Sequence, residues 1–169
     1  MNRIKVMCNT SPIIGLLAIN RLDLLPQLFE KVIIPDAVYR ELCSDDQGKR
    51  ECEIKQINAY VEQGVIEKYT VKNEDLVKKL YGRLHYGELE VIIGAKELQL
   101  PMAIIDERAA RKVATDFLVD TIGILGILTV AKKEGLIQYI KSDIDLLRKK
   151  GYRIGDELYN QILKQNNEI

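Results

Sequence analysis

Short apolar runs alternate with segments of helical spacing along most of this chain, from residue 4 to about residue 134. No other feature constrains the fold as much. A strand followed by a crossover helix and another strand is the pattern of a parallel sheet with helices on both faces. Residues 4–8 read as a strand closed by Asn9-Thr10-Ser11-Pro12. Ser11 as N-cap and Pro12 as first helical residue then turn the strand directly into a helix. That helix carries Ile13, Ile14, Leu16 and Leu17 and ends near Asn20.

The same reading predicts a short helix over 22–29, a buried strand over 31–34 closed by Pro35, and a helix over 37–42 capped by Asp36. The polar stretch 44–63 holds Ile54, Ile57 and Val61 at helical spacing, and a strand over 65–71 follows Gly64. A short helix starts at Asn73 or Glu74, a longer one covers 87–98, and a strand covers 102–105. Beyond it the pattern predicts a helix over 107–117, a strand over 118–120, an apolar helix over 122–134 stopped by Gly135, and helices over 142–150 and 155–164. With 169 residues the chain suits one domain over 1–140, with a helical extension, 141–169, packed on it.

Charge narrows the chemistry. Lys plus Arg number 25 and Asp plus Glu number 25, so bulk attraction to nucleic acid or to an anionic membrane is absent. A polyanion would have to be held locally. The single histidine, His85, leaves little room for a Ser-His-Asp triad or His-rich zinc chemistry, so any catalysis is expected from carboxylates. Cys8, Cys43 and Cys52 contain no C-x-x-C pair and fit no zinc module, which suits a reduced, cytoplasmic protein. The start of the chain is basic but lacks a long apolar core, and the longest apolar stretch, near 121–131, is too short to span a membrane.

In parallel sheets ligands bind beyond the carboxyl ends of the strands, where the strand order reverses. Asn9, Asp106 and Thr121 are expected at such ends, Glu41 on the helix after the second strand, and Glu88 in the first turn of the helix opened by Gly87. Were the first and fourth strands neighbours, these groups would share one crevice. Oxygen ligands alone suit Mg²⁺ or Mn²⁺. Each residue also has a structural reading: Glu88 favours a helix N-terminus, Asp106 and Thr121 can cap the helices after them, and Glu41 can be a solvated helix charge.

Several segments together resemble a PIN-like family long labelled a domain of unknown function. They are Asn9-Thr10-Ser11-Pro12-Ile13-Ile14, Arg21-Leu22-Asp23-Leu24-Leu25-Pro26, Val32-Ile33-Ile34-Pro35 and Val38-Tyr39-Arg40-Glu41-Leu42. Gly87-Glu88-Leu89-Glu90-Val91-Ile92, Asp106-Glu107-Arg108-Ala109-Ala110-Arg111 and the run from Thr121 to Gly126 continue the likeness, as does Ala131 to Gly135. It is weakest over 44–84. The resemblance implies an α/β/α sandwich and a metal-dependent ribonuclease, often the toxin of a toxin–antitoxin pair. It implies Glu41, Glu88 and Asp106 as catalytic residues holding Mg²⁺ or Mn²⁺, with Asn9 at the position where PIN nucleases usually carry Asp. An amide oxygen can ligate a cation but adds no charge. Expected partners are RNA, a small antitoxin protein and a second copy of the chain.

Ser11, Arg108, Arg111 and Thr121 are the expected substrate contacts. Arg108, Arg111 and Lys112 share a helix face and can hold phosphates, or can pair with Glu107 or Asp116. The basic stretch Arg148-Lys149-Lys150 with Tyr152 and Arg153 reads as a partner surface or a solvated helix end. Gly123-Ile124-Leu125-Gly126 spells a KH-type G-x-x-G but has apolar central residues, which suits helix packing. No cation is evident beside the three carboxylates. The competing reading is a catalytically impaired PIN fold that binds RNA or protein, and Asn9 favours it.

Overall fold

The computed structural model describes residues 2–169. Five strands, β1 Lys5–Cys8, β2 Lys31–Pro35, β3 Ile66–Tyr69, β4 Met102–Ile104 and β5 Asp120–Ile122, form one sheet in the order β3-β2-β1-β4-β5. Every pairing is parallel, with Met7 opposite Ile33 on one side and Ala103 on the other. Strands buried on both faces need apolar residues throughout rather than alternation. Val6-Met7-Cys8 and Val32-Ile33-Ile34 meet that need, and all six are buried.

Ten helices complete the chain over the described residues: α1 Thr10–Ala18, α2 Leu24–Leu28, α3 Asp36–Cys43, α4 Glu51–Glu62, α5 Glu74–Leu80, α6 Tyr86–Glu97, α7 Arg108–Asp116, α8 Ile124–Lys133, α9 Lys141–Lys149 and α10 Asp156–Gln165. Helices enclose the sheet in a three-layer α/β/α arrangement. The chain builds β1, β2 and β3 outward in one direction, then returns across the sheet to lay β4 and β5 on the other side of β1. The order therefore reverses between β1 and β4, the two strands carrying Asn9 and Asp106 at their ends. Ile144 and Leu147 of α9 and Leu163 of α10 join the same buried cluster as the sheet.

Three local expectations need correction. Asn9, not Ser11, is the N-cap of α1, so Ser11 and Pro12 lie inside the first turn. Asp36 does not cap α3 from outside; it is the first helical residue, and the Ala37 N–H is taken by Glu90 Oε2 at 2.9 Å. The last strand is 120–122 rather than 118–120, because Leu118 adopts a left-handed φ of 59° in the turn that ends α7. Thr121 consequently sits within β5 instead of beyond it.

Candidate functional site

The β1–β4 seam continues just past the strands: the Asn9 N–H donates to the Ile104 carbonyl at 3.0 Å. Asn9 is thereby fixed at the switch point, 6 % exposed, and its side chain does not cap α1. The next residue, Thr10, reaches across to α3 and donates its hydroxyl to Glu41 Oε2 at 2.5 Å. The Glu41 carboxylate lies over Gly87 so closely that a Cβ there would stand 2.7 Å from Oε1. Glu88 follows in the same turn of α6. Its Oε2 accepts the His85 N–H at 3.1 Å, an ordinary way of satisfying a helix start. Burial pushes the Glu88 carboxyl above its usual range, opposed by that N–H and the His85 charge and helped by Glu107 and Glu41.

Asp106 is held differently. Its Oδ1 accepts the Ile124 N–H at 2.6 Å, so it serves the start of α8 rather than α7. The carboxylate rests on Gly123, where a Cβ would come within 2.8 Å of Oδ1. Its Oδ2 is buried without any protein partner. Such an atom keeps the cost of leaving water and recovers nothing. Burial accordingly pushes the Asp106 carboxyl upward, against the Ile124 N–H and the Arg111 charge, with Glu107 adding to the rise. The Asp106 charge in turn adds to burial in holding up the Cys8 thiol and the Tyr152 hydroxyl.

Four of the expected residues divide between two hollows on either side of the Asp106-Glu107 step, and Asn9 and Glu41 line neither. One, of about 400 Å³, is lined by Glu88 and Glu107 with Tyr81, Arg83 and His85. The other, of about 350 Å³, is lined by Asp106, Arg111 and Thr121 with Tyr152, Arg153 and apolar side chains of α8 and α10. Arg111 Nε donates to Thr121 Oγ1 at 3.2 Å. This overturns two expectations, since a cation does stand beside Asp106, and Arg111 pairs with neither Glu107 nor Asp116. Arg108 is exposed at the start of α7 and lines neither hollow. The Ser11 side chain is exposed, and it is the Ser11 carbonyl that is used, accepting the Tyr152 hydroxyl.

Sequence reasoning does not place Thr10, Glu107, Tyr152 or Arg153 at the site. It groups Tyr152 and Arg153 with a basic patch, and the structure splits that patch. Arg148 pairs with Asp156 at 2.6 Å and lies over the Tyr159 ring, while Tyr152 and Arg153 turn toward Asp106. The G-x-x-G is packing, as Gly126 leaves room for Ile122.

The donors at the switch point are carboxylate and amide oxygens, a set suited to a hard divalent cation, and Asp106 Oδ2 is a buried acceptor with no hydrogen-bond partner. Among the described residues no three His, Cys, Asp or Glu side chains are spaced to hold one ion. A cation there would take one or two carboxylates and keep several waters, which is how Mg²⁺ is usually bound. The cysteines are free, and among the described residues no helix is long and apolar enough to cross a membrane.

Two comparisons bear on the site. The DUF3368 family model, described as a PIN domain, matches residues 5–168, so the match includes every residue named above and runs through α9 and α10. No curated protein matches the chain.

Proposed function

The chain belongs to the PIN domain family, and we propose that it is a divalent-metal-dependent ribonuclease working at the β1–β4 switch point. The observation that carries this reading is Asp106, a half-buried carboxylate with one oxygen anchored on α8 and the other buried and unpartnered. Mg²⁺ or Mn²⁺ bound there would supply an activated water and offset charge on the phosphodiester. Asp106 would hold the ion directly, and Glu41, Glu88 and Asn9 would reach it through its retained waters. Thr10 orients Glu41, and the α8 N–H orients Asp106. Arg111, steadied by Thr121, would bind a phosphate oxygen on the far side of Asp106 from Glu88.

RNA cleavage in saturating Mn²⁺ tests the reading with three chains: wild type, Asn9→Asp and Asp106→Asn. Cleavage by wild type, faster cleavage by Asn9→Asp and none by Asp106→Asn are expected. Equal inertness of all three sinks it.

Asn9 supports a second reading, a PIN-fold module that binds RNA or a protein without cutting. The amide withholds one charge from the cation. Metal-independent RNA retention with no cleavage by Asn9→Asp would select it. As a toxin, the protein would be carried with a small antitoxin. Co-purification of that partner supports the role, and a free, monodisperse homo-oligomer counts against it.

A further inference from the structure

Between α5 and α6 the chain makes a tight turn. Tyr81 and Leu84 bridge its ends, the Arg83 N–H donates to the Leu80 carbonyl at 3.2 Å, and Gly82 holds a φ of +101° that a side chain would strain. The turn sets Tyr81 against Tyr86 of α6, with ring centroids 4.8 Å apart and planes inclined at 44°. It is the one aromatic pair among the described residues. Despite that contact Tyr81 is 60 % exposed and Tyr86 38 %, and neither hydroxyl bonds to the protein. A ring as exposed as Tyr81, held on a glycine turn with its hydroxyl unpartnered, is poorly explained by stability alone.

Their surroundings suggest a use. Tyr81, Arg83 and His85 line, together with Glu88 and Glu107, a hollow of about 400 Å³, a volume within the range of small-ligand sites (roughly 300–1,000 Å³), and Tyr86 backs Tyr81 from outside that lining. Arg83 joins no ion pair among the described residues. Exposed rings, a free guanidinium and a neighbouring acidic site are the parts of a seat for an unpaired nucleotide: the base stacks on the ring and the cation meets its phosphate. A duplex cannot offer that base, because its faces are already stacked.

We propose that Tyr81 and Tyr86 form a base-stacking platform, with Arg83 as its phosphate contact, that seats one unpaired nucleotide beside Glu88. The assignment rests on the ribonuclease reading for its ligand class, and the test separates the two. Binding is measured in EDTA, where no metal-dependent cleavage interferes, by anisotropy of a labelled single-stranded RNA and of the same strand with abasic residues. Wild type is compared with Tyr81→Ala, Tyr86→Ala, and the two Phe variants. Each Ala variant is expected to weaken binding of the normal strand about tenfold, given the usual strength of base–aromatic stacking. The Phe variants should bind as wild type does, and the abasic strand should be bound equally by all. Because the chain has no tryptophan, Tyr81→Trp adds a single reporter that should be quenched by the normal strand and not by the abasic one.

Unchanged affinity in the Ala variants overturns the platform, as does equal loss with both strands, loss in the Phe variants, an unquenched reporter, or no RNA binding by wild type. Thermal melts of the Ala variants matching wild type exclude misfolding, the rings being exposed. Ring-dependent binding without Mn²⁺-dependent cleavage leaves the platform standing and removes the nuclease reading alone.

Discussion

Replacing Asp106 with asparagine removes a charge and keeps the shape. The side-chain oxygen of the replacement amide could still accept the Ile124 N–H that Asp106 Oδ1 accepts at 2.6 Å. What disappears is the charge at the buried, unpartnered Oδ2; the amide nitrogen that replaces it is unpartnered too, but neutral. A buried polar atom left unsatisfied costs roughly 1–3 kcal/mol, more when charged. Against that, a carboxylate at a helix start is favoured by about 0.3–1 kcal/mol, up to about 2 in buried geometry. The upward push on the Asp106 carboxyl says that burial outweighs the α8 N–H and Arg111 together. The net gain from Asp106→Asn at neutral pH is then on the order of 1 kcal/mol, which for a chain of this size raises Tm by about 2–4 °C.

The pH dependence follows from the same direction. A carboxyl whose folded pKa is raised takes up its proton in the folded chain before it does in the unfolded one. Ionised Asp106 therefore costs stability at pH 7, and the cost fades as pH falls through the raised value toward the ordinary Asp pKa of about 3.9. Melts of both chains in EDTA from about pH 8 to about pH 4 should show Asp106→Asn ahead at pH 7 and level at the acid end. Mn²⁺ should reverse the order, because a ligand at a hundredfold its Kd stabilises by about 2.7 kcal/mol and the variant lacks the anion that holds it. A wild type that melts above the variant at pH 7 in EDTA, or a gap that ignores pH, refutes the reasoning.

Glu168 should behave oppositely. Its side chain is 4 % exposed and accepts from Lys132 Nζ at 2.7 Å and from the Ile140 and Lys141 N–H groups at 2.8 Å each. Burial raises its pKa, but these donors outweigh burial and lower it overall. Glu168→Gln should cost about 1–3 kcal/mol at pH 7 by urea midpoint, a loss that vanishes in acid as the wild-type carboxyl protonates. At Gly15 a Cβ would stand 2.5 Å from Tyr152 Oη and 2.6 Å from Ile124 Cδ1. Gly15→Ala should therefore lower stability by about 1–3 kcal/mol, and adding Tyr152→Phe should recover part of it. Thr10→Val frees the Glu41 carboxylate and should weaken Mn²⁺ binding, read by calorimetry, about tenfold; unchanged affinity would remove Glu41 from the ligand set.

What is legible in the sequence is whatever depends on neighbours in the chain. Apolar runs such as Ala103-Ile104-Ile105 announce buried strands, so Asp106 after one of them is visible at once as a ligand-edge carboxylate. The parallel sheet follows from the alternation of such runs with helices. The register of the last strand does not follow, because Leu118 takes a conformation that glycine or asparagine usually signals. Asp36 reads as a cap because Glu90, the actual partner of the Ala37 N–H, is 53 positions away. Tyr152 is hidden for the same reason, within a stretch whose charges draw more notice than its ring.

That ring joins residues 141 positions apart, the Tyr152 hydroxyl meeting the Ser11 carbonyl on the first helix. Ribosomes make the chain in order, so β1, α1, Glu41, Glu88 and Asp106 all emerge before this wall exists. Until residues 152 and 153 leave the exit tunnel, the hollow beside Asp106 lies open along the side they will close. The nascent protein thus carries its carboxylates before the wall that encloses them, and an early site is a more open one than the folded chain shows.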